Sequence, residues 1–270
     1  MRTASVLVWI KGAGDLGTGT AHRLHRAGFQ VIMTELVQPT VIRRAVSFAS
    51  AVYEQRLELE NVEAGMADSA AEANRLLSKG VVPVLVDPLG ICVKSLHPSV
   101  LVDARLAKRN LDTHLEDAGI VIGLGPGFTA GEDVHAVVET NRGHHLGRVI
   151  LEGSAQQNTG VPGLIDGYGL ERVLWAPCAG RFSVRAQIGQ RIEAGETVAH
   201  VGRQPVDSSI AGVLRGILYD GLDVVEGQKV GDVDPRGLTE HCFTISDKAR
   251  AVGGAVLEAI LYLQRHLTST

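Results

Sequence analysis

Residues 6–10, VLVWI, form a short unbroken apolar run, the pattern of a strand buried on both faces of a parallel sheet. Residues 16–27 then place Leu16, Thr20, Leu24 and Ala27 along one side, a helical spacing, and Gly28 stands where a C-terminal cap belongs. Residues 31–34 are a second apolar run with Glu35 at its end. Val41, Ala45, Phe48 and Val52 recur every three or four positions and predict a helix over 39–54. A second helix is expected over 67–79, stopped by Gly80. Apolar runs at 81–86, 100–102 and 119–124 read as strands, ending in Asp87-Pro88, Asp103-Ala104-Arg105 and Gly125-Pro126-Gly127. Alternation at Val134, Ala136 and Val138 suggests one more strand, followed by a polar loop at 141–144. Strands alternating with helices predict an α/β fold, a Rossmann-like parallel sheet with helices on both faces.

The segment between the first strand and helix is GAGDLG, residues 12–17. In a dinucleotide-binding turn each glycine has a reason. Gly12 permits the tight exit from the strand, Gly14 lets the backbone approach a diphosphate, and Gly17 lets the helix pack on the strand. The helix start, at Asp15 and Leu16, offers amide groups and a partial positive charge to an anion. Glu35 stands 23 positions after Gly12, where a carboxylate can accept ribose hydroxyls and would repel a 2′-phosphate. NAD or another dinucleotide is therefore the expected ligand, with NAD favoured over NADP. Open parallel sheets hold ligands at the carboxyl ends of their strands. That places Asp87, Asp103, Arg105, Gly125 and Gly127 beside the loop, either as ligand residues or as turn aspartates and turn glycines. Arg142 could clamp a phosphate or carboxylate, and His144 could transfer a proton at neutral pH. His144 and His145 are neighbours whose side chains on an extended chain would point apart, so no metal site is expected there.

From residue 173 the pattern changes to short strands with glycine turns. Gly180, Gly189, Gly195 and Val198 recur as Gly212, Gly221, Gly227 and Val230, a period of 32 residues. Two such halves resemble a lipoyl- or biotinyl-like barrel-sandwich hybrid. Carriers of that type are loaded on a lysine at the hairpin between the halves. The connection here, residues 202–207, is GRQPVD and has none, so docking is the expected role. The chain then ends in a helix from about 246 to 265 with Ala251, Ala255, Leu257, Ile260 and Leu261 on its buried side. The expected domains are 1–170, dinucleotide-binding; 171–240, the β-rich module; and 241–270, a helix packed on the body.

Composition narrows the classes. The 270 residues are 45% hydrophobic and 21% charged, with a net charge of −4 and only 4% aromatics. Neither a basic footprint nor stacking platforms for nucleic acid are present. No apolar stretch reaches membrane-spanning length. The three cysteines, Cys92, Cys178 and Cys242, lack metal or disulfide spacing and fit a reducing cytoplasm. Cys92 follows the Asp87-Pro88 turn, as a buried thiol or, less simply, a sulfur carrier.

Several segments together resemble the family of selenium-dependent molybdenum hydroxylase system proteins, the YqeB-like proteins, relatives of the XdhC/CoxI maturation factors. They are IKGAGDLGTGTAHRLHRAGF (10–29), TELVQPTVIRRAVSFASAVYE (34–54), VDARLAKRN (102–110), GLGPGFTAGEDVHAVVETNRGHHLGRVI (123–150), NTGVPG (158–163) and GQKVGDVDPR, ending at Arg236. The resemblance covers nearly the whole chain, and the ETxRGH core at 139–144 is its most specific part. XdhC relatives often carry an acid after that histidine; here it is His145. The resemblance implies an accessory role in maturing a xanthine- or CO-dehydrogenase-like enzyme. The implied ligand is a dinucleotide or, transiently, the molybdenum cofactor in nucleotide form. The implied partner is the apo-hydroxylase, and a homo-oligomer is expected. An NAD-dependent oxidoreductase using Asp103 or His144, and a non-catalytic NAD sensor, are the alternatives; no dehydrogenase signature such as Tyr-x-x-x-Lys is present.

Overall fold

A computed structural model describes residues 6–158, 160 and 163–267. The NTGVPG segment of the resemblance lies partly outside the described residues. The chain divides into two compact units, one of Met1–Pro39, Phe48–Thr159 and Ile245–Thr270, the other of Thr40–Ser47 and Gly160–Thr244. The C-terminal helix, expected to pack on the body, groups with the first unit; residues 40–47, 160–170 and 241–244 group with the second.

The first unit opens with β1 (Leu7–Lys11), α1 (Asp15–Arg26) and β2 (Gln30–Glu35), within a residue or two of the sequence reading. It continues with α2 (Ala51–Glu54), β3 (Arg56–Leu59), β4 (Val62–Ala67), α3 (Ala70–Ser78), β5 (Val82–Val86), α4 (Ile91–Lys94), β6 (Val100–Asp103), β7 (Ile120–Leu124), β8 (Thr129–Ala130), β9 (Ala136–Val138), β10 (Val149–Ile150) and β11 (Gly153–Ser154). Nine of these strands form one sheet in the order β10-β9-β7-β6-β1-β2-β5-β4-β3. The seven inner strands are parallel, and β3 and β10 close the edges antiparallel. Trp9, Ile32, Leu85, Leu101 and Val121 share one face and cluster with Ala73 and Leu76 of α3 and Val93 of α4. Alternate residues, Val8, Ile10, Val102 and Ile122, are also fully buried, on the opposite face. The chain leaves β1 toward β2 and β5, then crosses back from β5 to β6 on the other side of β1. The direction of winding therefore switches between β1 and β6.

The helix expected over 39–54 does not form as one element. Residues 44–46 and 48–50 are separate 3-10 turns, and only Ala51–Glu54 is α-helical. The apolar spacing is helical, but Val46 and Phe48 are buried in different units, so one amphipathic face is not what the fold uses. The helix expected over 67–79 begins later, because β4 takes residues up to Ala67. Ser69 caps it, its hydroxyl accepting the Glu72 amide at 3.2 Å. The β3–β4 hairpin was not legible as such; Glu60 and Asn61 turn it with φ of 47° and 65°.

The second unit contains β12 (Val173–Trp175), β13 (Gly180–Val184), β14 (Arg191–Ile192), β15 (Thr197–Val201), β16 (Gln204–Asp207), β17 (Gly212–Ile217), β18 (Asp223–Val224), β19 (Lys229–Asp234) and the short α5 (Glu240–Phe243). Its strands form two four-stranded sheets, β12-β19-β17-β14 and β16-β15-β13-β18. The period read from the sequence maps β13, β14 and β15 onto β17, β18 and β19. The short middle strand of each repeat pairs with the other repeat: β14 with β17, and β18 with β13. Core positions repeat as well, Phe182 with Leu214, Ile192 with Val224 and Val198 with Val230, in one hydrophobic cluster.

The last helix, α6 (Asp247–Leu267), packs in the first unit along α1. Small residues make the approach possible. A Cβ on Gly19 would lie 2.7 Å from the Ala249 Cβ, and one on Gly253 would lie 2.7 Å from the Gly19 carbonyl oxygen and 3.2 Å from the Arg23 Cβ. The two helices thus run in the same sense. Among the described residues, no helix is long and apolar enough to cross a membrane.

Candidate functional site

The switch between β1 and β6 is where the glycine loop sits. Gly12 leaves β1 with φ 91°, a left-handed conformation that favours glycine, and a Cβ there would lie 3.2 Å from the Ala104 and Arg105 backbone. Gly17 lies deeper, where a Cβ would be 2.3 Å from the Gly12 carbonyl oxygen. Gly14 caps α1 and contributes no side-chain hydrogen bond. Two acids reach into this turn. Glu35 accepts the Ala13 amide at 2.9 Å and its own neighbour's amide, Leu36, at 2.8 Å. Asp15 accepts the Leu16 amide at 3.0 Å. The Ala13 carbonyl accepts the Ala49 amide and the Thr18 hydroxyl, and that hydroxyl accepts the Phe48 amide, so residues 48–49 brace the loop from behind.

Beside the loop lies a buried ionic network. Asp103 is 1% exposed and lies opposite Lys11 in the sheet register. Its carboxylate accepts from the Arg105 amide, Nε and Nη2, the last at 2.6 Å, and from the Thr113 hydroxyl at 2.8 Å. Arg105 also donates to Asp112 at 2.6 Å. Lys11 donates to Asp112 and Thr113 and lies 3.7 Å from Asp117. Although burial works against it, these carboxylates push the Arg105 guanidinium above its usual pKa, while Asp112 is held below the usual carboxylate range, chiefly by the hydrogen bond from Arg105. A carboxylate so fully engaged holds Arg105 in place.

The other expected residues fall in two groups. Gly125 and Gly127 are packing positions, where a Cβ would meet the Thr140 hydroxyl at 2.5 Å and the Arg109 amide nitrogen at 2.5 Å. Asp87 caps α4, accepting the amides of Ile91, Cys92 and Val93 at 2.8–3.0 Å. Arg142 forms a two-pronged pair with Asp247 at the start of α6, at 2.7 and 3.0 Å. His144 lies on an exposed turn, its ring edge-on to His145 with centroids 5.0 Å apart. The expectation that these two rings point apart assumed an extended chain; residues 144–147 instead form a turn.

Sequence reasoning missed Lys248. It lies in the first turn of α6 and is half-buried. Burial pushes its ammonium below the usual pKa and Arg142 adds to the shift, while the carboxylates of Asp15, Glu139 and Asp247 oppose it. Asp15, Glu139, Arg142 and Lys248 are thereby brought to one end of the paired helices, beside the glycine loop. Nothing local in the sequence marks Lys248, because Asp15, Glu139 and Arg142, the neighbours that set it beside the loop, lie more than a hundred positions away. Glu139 shapes the floor of this corner, accepting the Asn141 amide at 2.6 Å and the Gln156 amide at 2.7 Å.

No protein-family model matches the chain. Over 257 residues it is 51% identical to a protein of Escherichia coli (strain K12) described as "Uncharacterized protein YqeB", an overlap of 95% of this chain and 48% of that protein. The chain thus spans about half the length of that relative. Solved structures with some likeness include the product-bound ectoine utilization protein EutE (DoeB) from Ruegeria pomeroyi, 13% identical with a TM-score of 0.23, over 84% of this chain and 56% of that one. An aspartoacylase family protein from Mesorhizobium loti is 9% identical with a TM-score of 0.28, over 84% of each chain. The Escherichia coli tRNA N6-threonylcarbamoyladenosine dehydratase TcdA in complex with AMP is 13% identical with a TM-score of 0.29, over 97% of this chain and 89% of that one. Likenesses this remote carry no argument about this chain.

Proposed function

We propose that this relative of YqeB binds a diphosphate-linked nucleotide, NAD or the dinucleotide form of the molybdenum cofactor, and acts in the cytoplasm as an accessory protein in maturing a molybdenum hydroxylase. The observation that carries the reading is the glycine turn of residues 12–17 at the switch point of the sheet, feeding an α1 start whose cap residue has no side chain. The residues present fit such a group. The Ala13 and Leu16 amides, which now donate to Glu35 and Asp15, would hold the diphosphate; Glu35 would accept the ribose hydroxyls, and Lys248 and Arg142 would supply the opposing positive charge. Asp103 holds the Arg105 guanidinium, which also reaches Asp112 and Thr113 beside the loop, and Asp103 or His144, the latter on its exposed turn, is the candidate for proton transfer. The exchange of β14 and β18 between repeats supports reading the second unit as a barrel-sandwich hybrid, here for docking to the apo-hydroxylase.

The test is purification of the chain from cells making a molybdenum hydroxylase, with mass spectrometry of the bound small molecule and of captured proteins. A stoichiometric dinucleotide, lost in Gly14→Val, together with hydroxylase subunits supports the reading. A folded chain carrying neither overturns it.

A further inference from the structure

The second unit buries an arginine that its own carboxylates leave unsatisfied. Arg215 lies at a β-bulge in β17, where the pairing with β19 shifts register between Leu214 and Gly216. Bulges re-aim side chains. Arg215 is 7% exposed, and a guanidinium carries five donors. Among the described residues its Nε has no hydrogen-bond partner, and its one ionic contact is with Asp234 Oδ2 at 3.7 Å, too long for a hydrogen bond.

Both nearby carboxylates are already held by other cations. Asp234 takes the Arg236 fork, with Nε at 2.9 Å and Nη2 at 2.6 Å, and the Arg236 amide at 3.1 Å. Asp232, opposite Gly216 in the register, is bound by Arg172 and lies 3.8 Å from Lys229. The segment before Arg43 lies against the same stretch of β17: a Cβ on Gly216 would be 2.7 Å from the Ile42 carbonyl oxygen. Arg43 itself donates to the His241 and Thr244 carbonyls. Arg43 and Arg236 lie close enough to Arg215 for their charges to oppose its own, while Asp232 and Asp234 are each engaged by another cation. Burying an unmatched cation is costly, and an oxyanion at the guanidinium removes the cost.

We propose that Arg215, flanked by Arg43 and Arg236, is an anion site in the second unit that takes the phosphoryl group of a small molecule. A tetrahedral phosphoryl group matches the planar guanidinium fork with two parallel hydrogen bonds. The site is separate from the glycine turn and does not depend on the function proposed above.

The experiment is calorimetric titration of the full chain with inorganic phosphate, with succinate as the carboxylate arm, in parallel with unfolding in phosphate-free buffer. The wild type binds phosphate saturably and more tightly than succinate. Arg215→Met weakens it at least tenfold and Arg215→Lys, which keeps the charge but not the fork, weakens it less. Gly14→Val leaves it unchanged. In phosphate-free buffer Arg215→Met is at least as stable as the wild type. Absence of saturable binding to the wild type, tighter binding of succinate, equal affinity in Arg215→Met, loss of binding in Gly14→Val, or a less stable Arg215→Met without phosphate would each overturn the proposal. The wild-type titration decides even if a variant fails to fold.

Discussion

The same substitution, glycine to alanine inside a helix, has opposite consequences at two positions of the first unit. Alanine in place of an exposed, unhindered helical glycine gains about 0.5–1 kcal/mol, by restricting the unfolded chain and improving helix propensity. Gly254 in α6, although half-buried, has the space this requires, because a Cβ there has no neighbour within 4 Å. Gly17 does not. Its Cβ would stand 2.3 Å from the Gly12 carbonyl oxygen and 3.3 Å from the Ala104 Cβ. Forcing an atom into such a contact costs about 1–3 kcal/mol, which outweighs the helix gain. The expected net change is a loss of about 1–2 kcal/mol for Gly17→Ala, and the two variants should differ by roughly 2–3 kcal/mol. The carbonyl that must move belongs to the turn of residues 12–17, so dinucleotide affinity should also fall, by tenfold or more. Fluorescence of the buried Trp9, read in a Trp175→Phe background, reports denaturant unfolding of the first unit alone. A Gly17→Ala midpoint matching that of Gly254→Ala, or unchanged dinucleotide affinity in a destabilised Gly17→Ala, would refute the packing argument.

Three further expectations follow from other parts of the fold. Asp87→Ala leaves three amides of α4 without their acceptor and should cost about 2 kcal/mol in denaturant unfolding, while Asp87→Asn retains part of it. His135 accepts the Val121 amide through Nδ1 at 3.0 Å, and burial lowers its pKa below the ordinary imidazole value of 6.5. The unfolded chain therefore binds the proton more readily, so this contribution to stability is complete above about pH 6.5 and is lost as the pH falls below it. His135→Asn should flatten the decline in unfolding midpoint between pH 7 and 5. Arg142→Ala breaks an exposed pair with Asp247 and should change stability by less than about 1 kcal/mol while weakening dinucleotide binding, a split visible by comparing unfolding with calorimetry.

The β1–α1–β2 start was legible because each part is a local signal: an unbroken apolar strand, a glycine turn and a helix ended near Gly28. Residues 120–124 and 100–103 were legible for the same reason. The 32-residue period in the second unit was legible as glycine spacing and returned as strand-for-strand correspondence. What failed was the assumption that helical spacing implies one helix: residues 39–54 divide between two units, and periodicity carries no information about which core a side chain enters. The site was legible only along the backbone. The loop, Glu35 and Asp103 could be placed from the sequence. Asp103's engagement with Arg105 and Thr113, the reach of Lys11 to Asp112, and Lys248 beside Asp15 could not, since each depends on chain crossings remote in sequence.

A crystal structure of the chain grown with saturating NAD tests the central claim most directly. The account predicts diphosphate oxygens about 3 Å from the amides of residues 13–17, with Glu35 moved onto the ribose. Glu35 and Asp15 still bound to the Ala13 and Leu16 amides, with the nucleotide absent or lodged elsewhere, would contradict it.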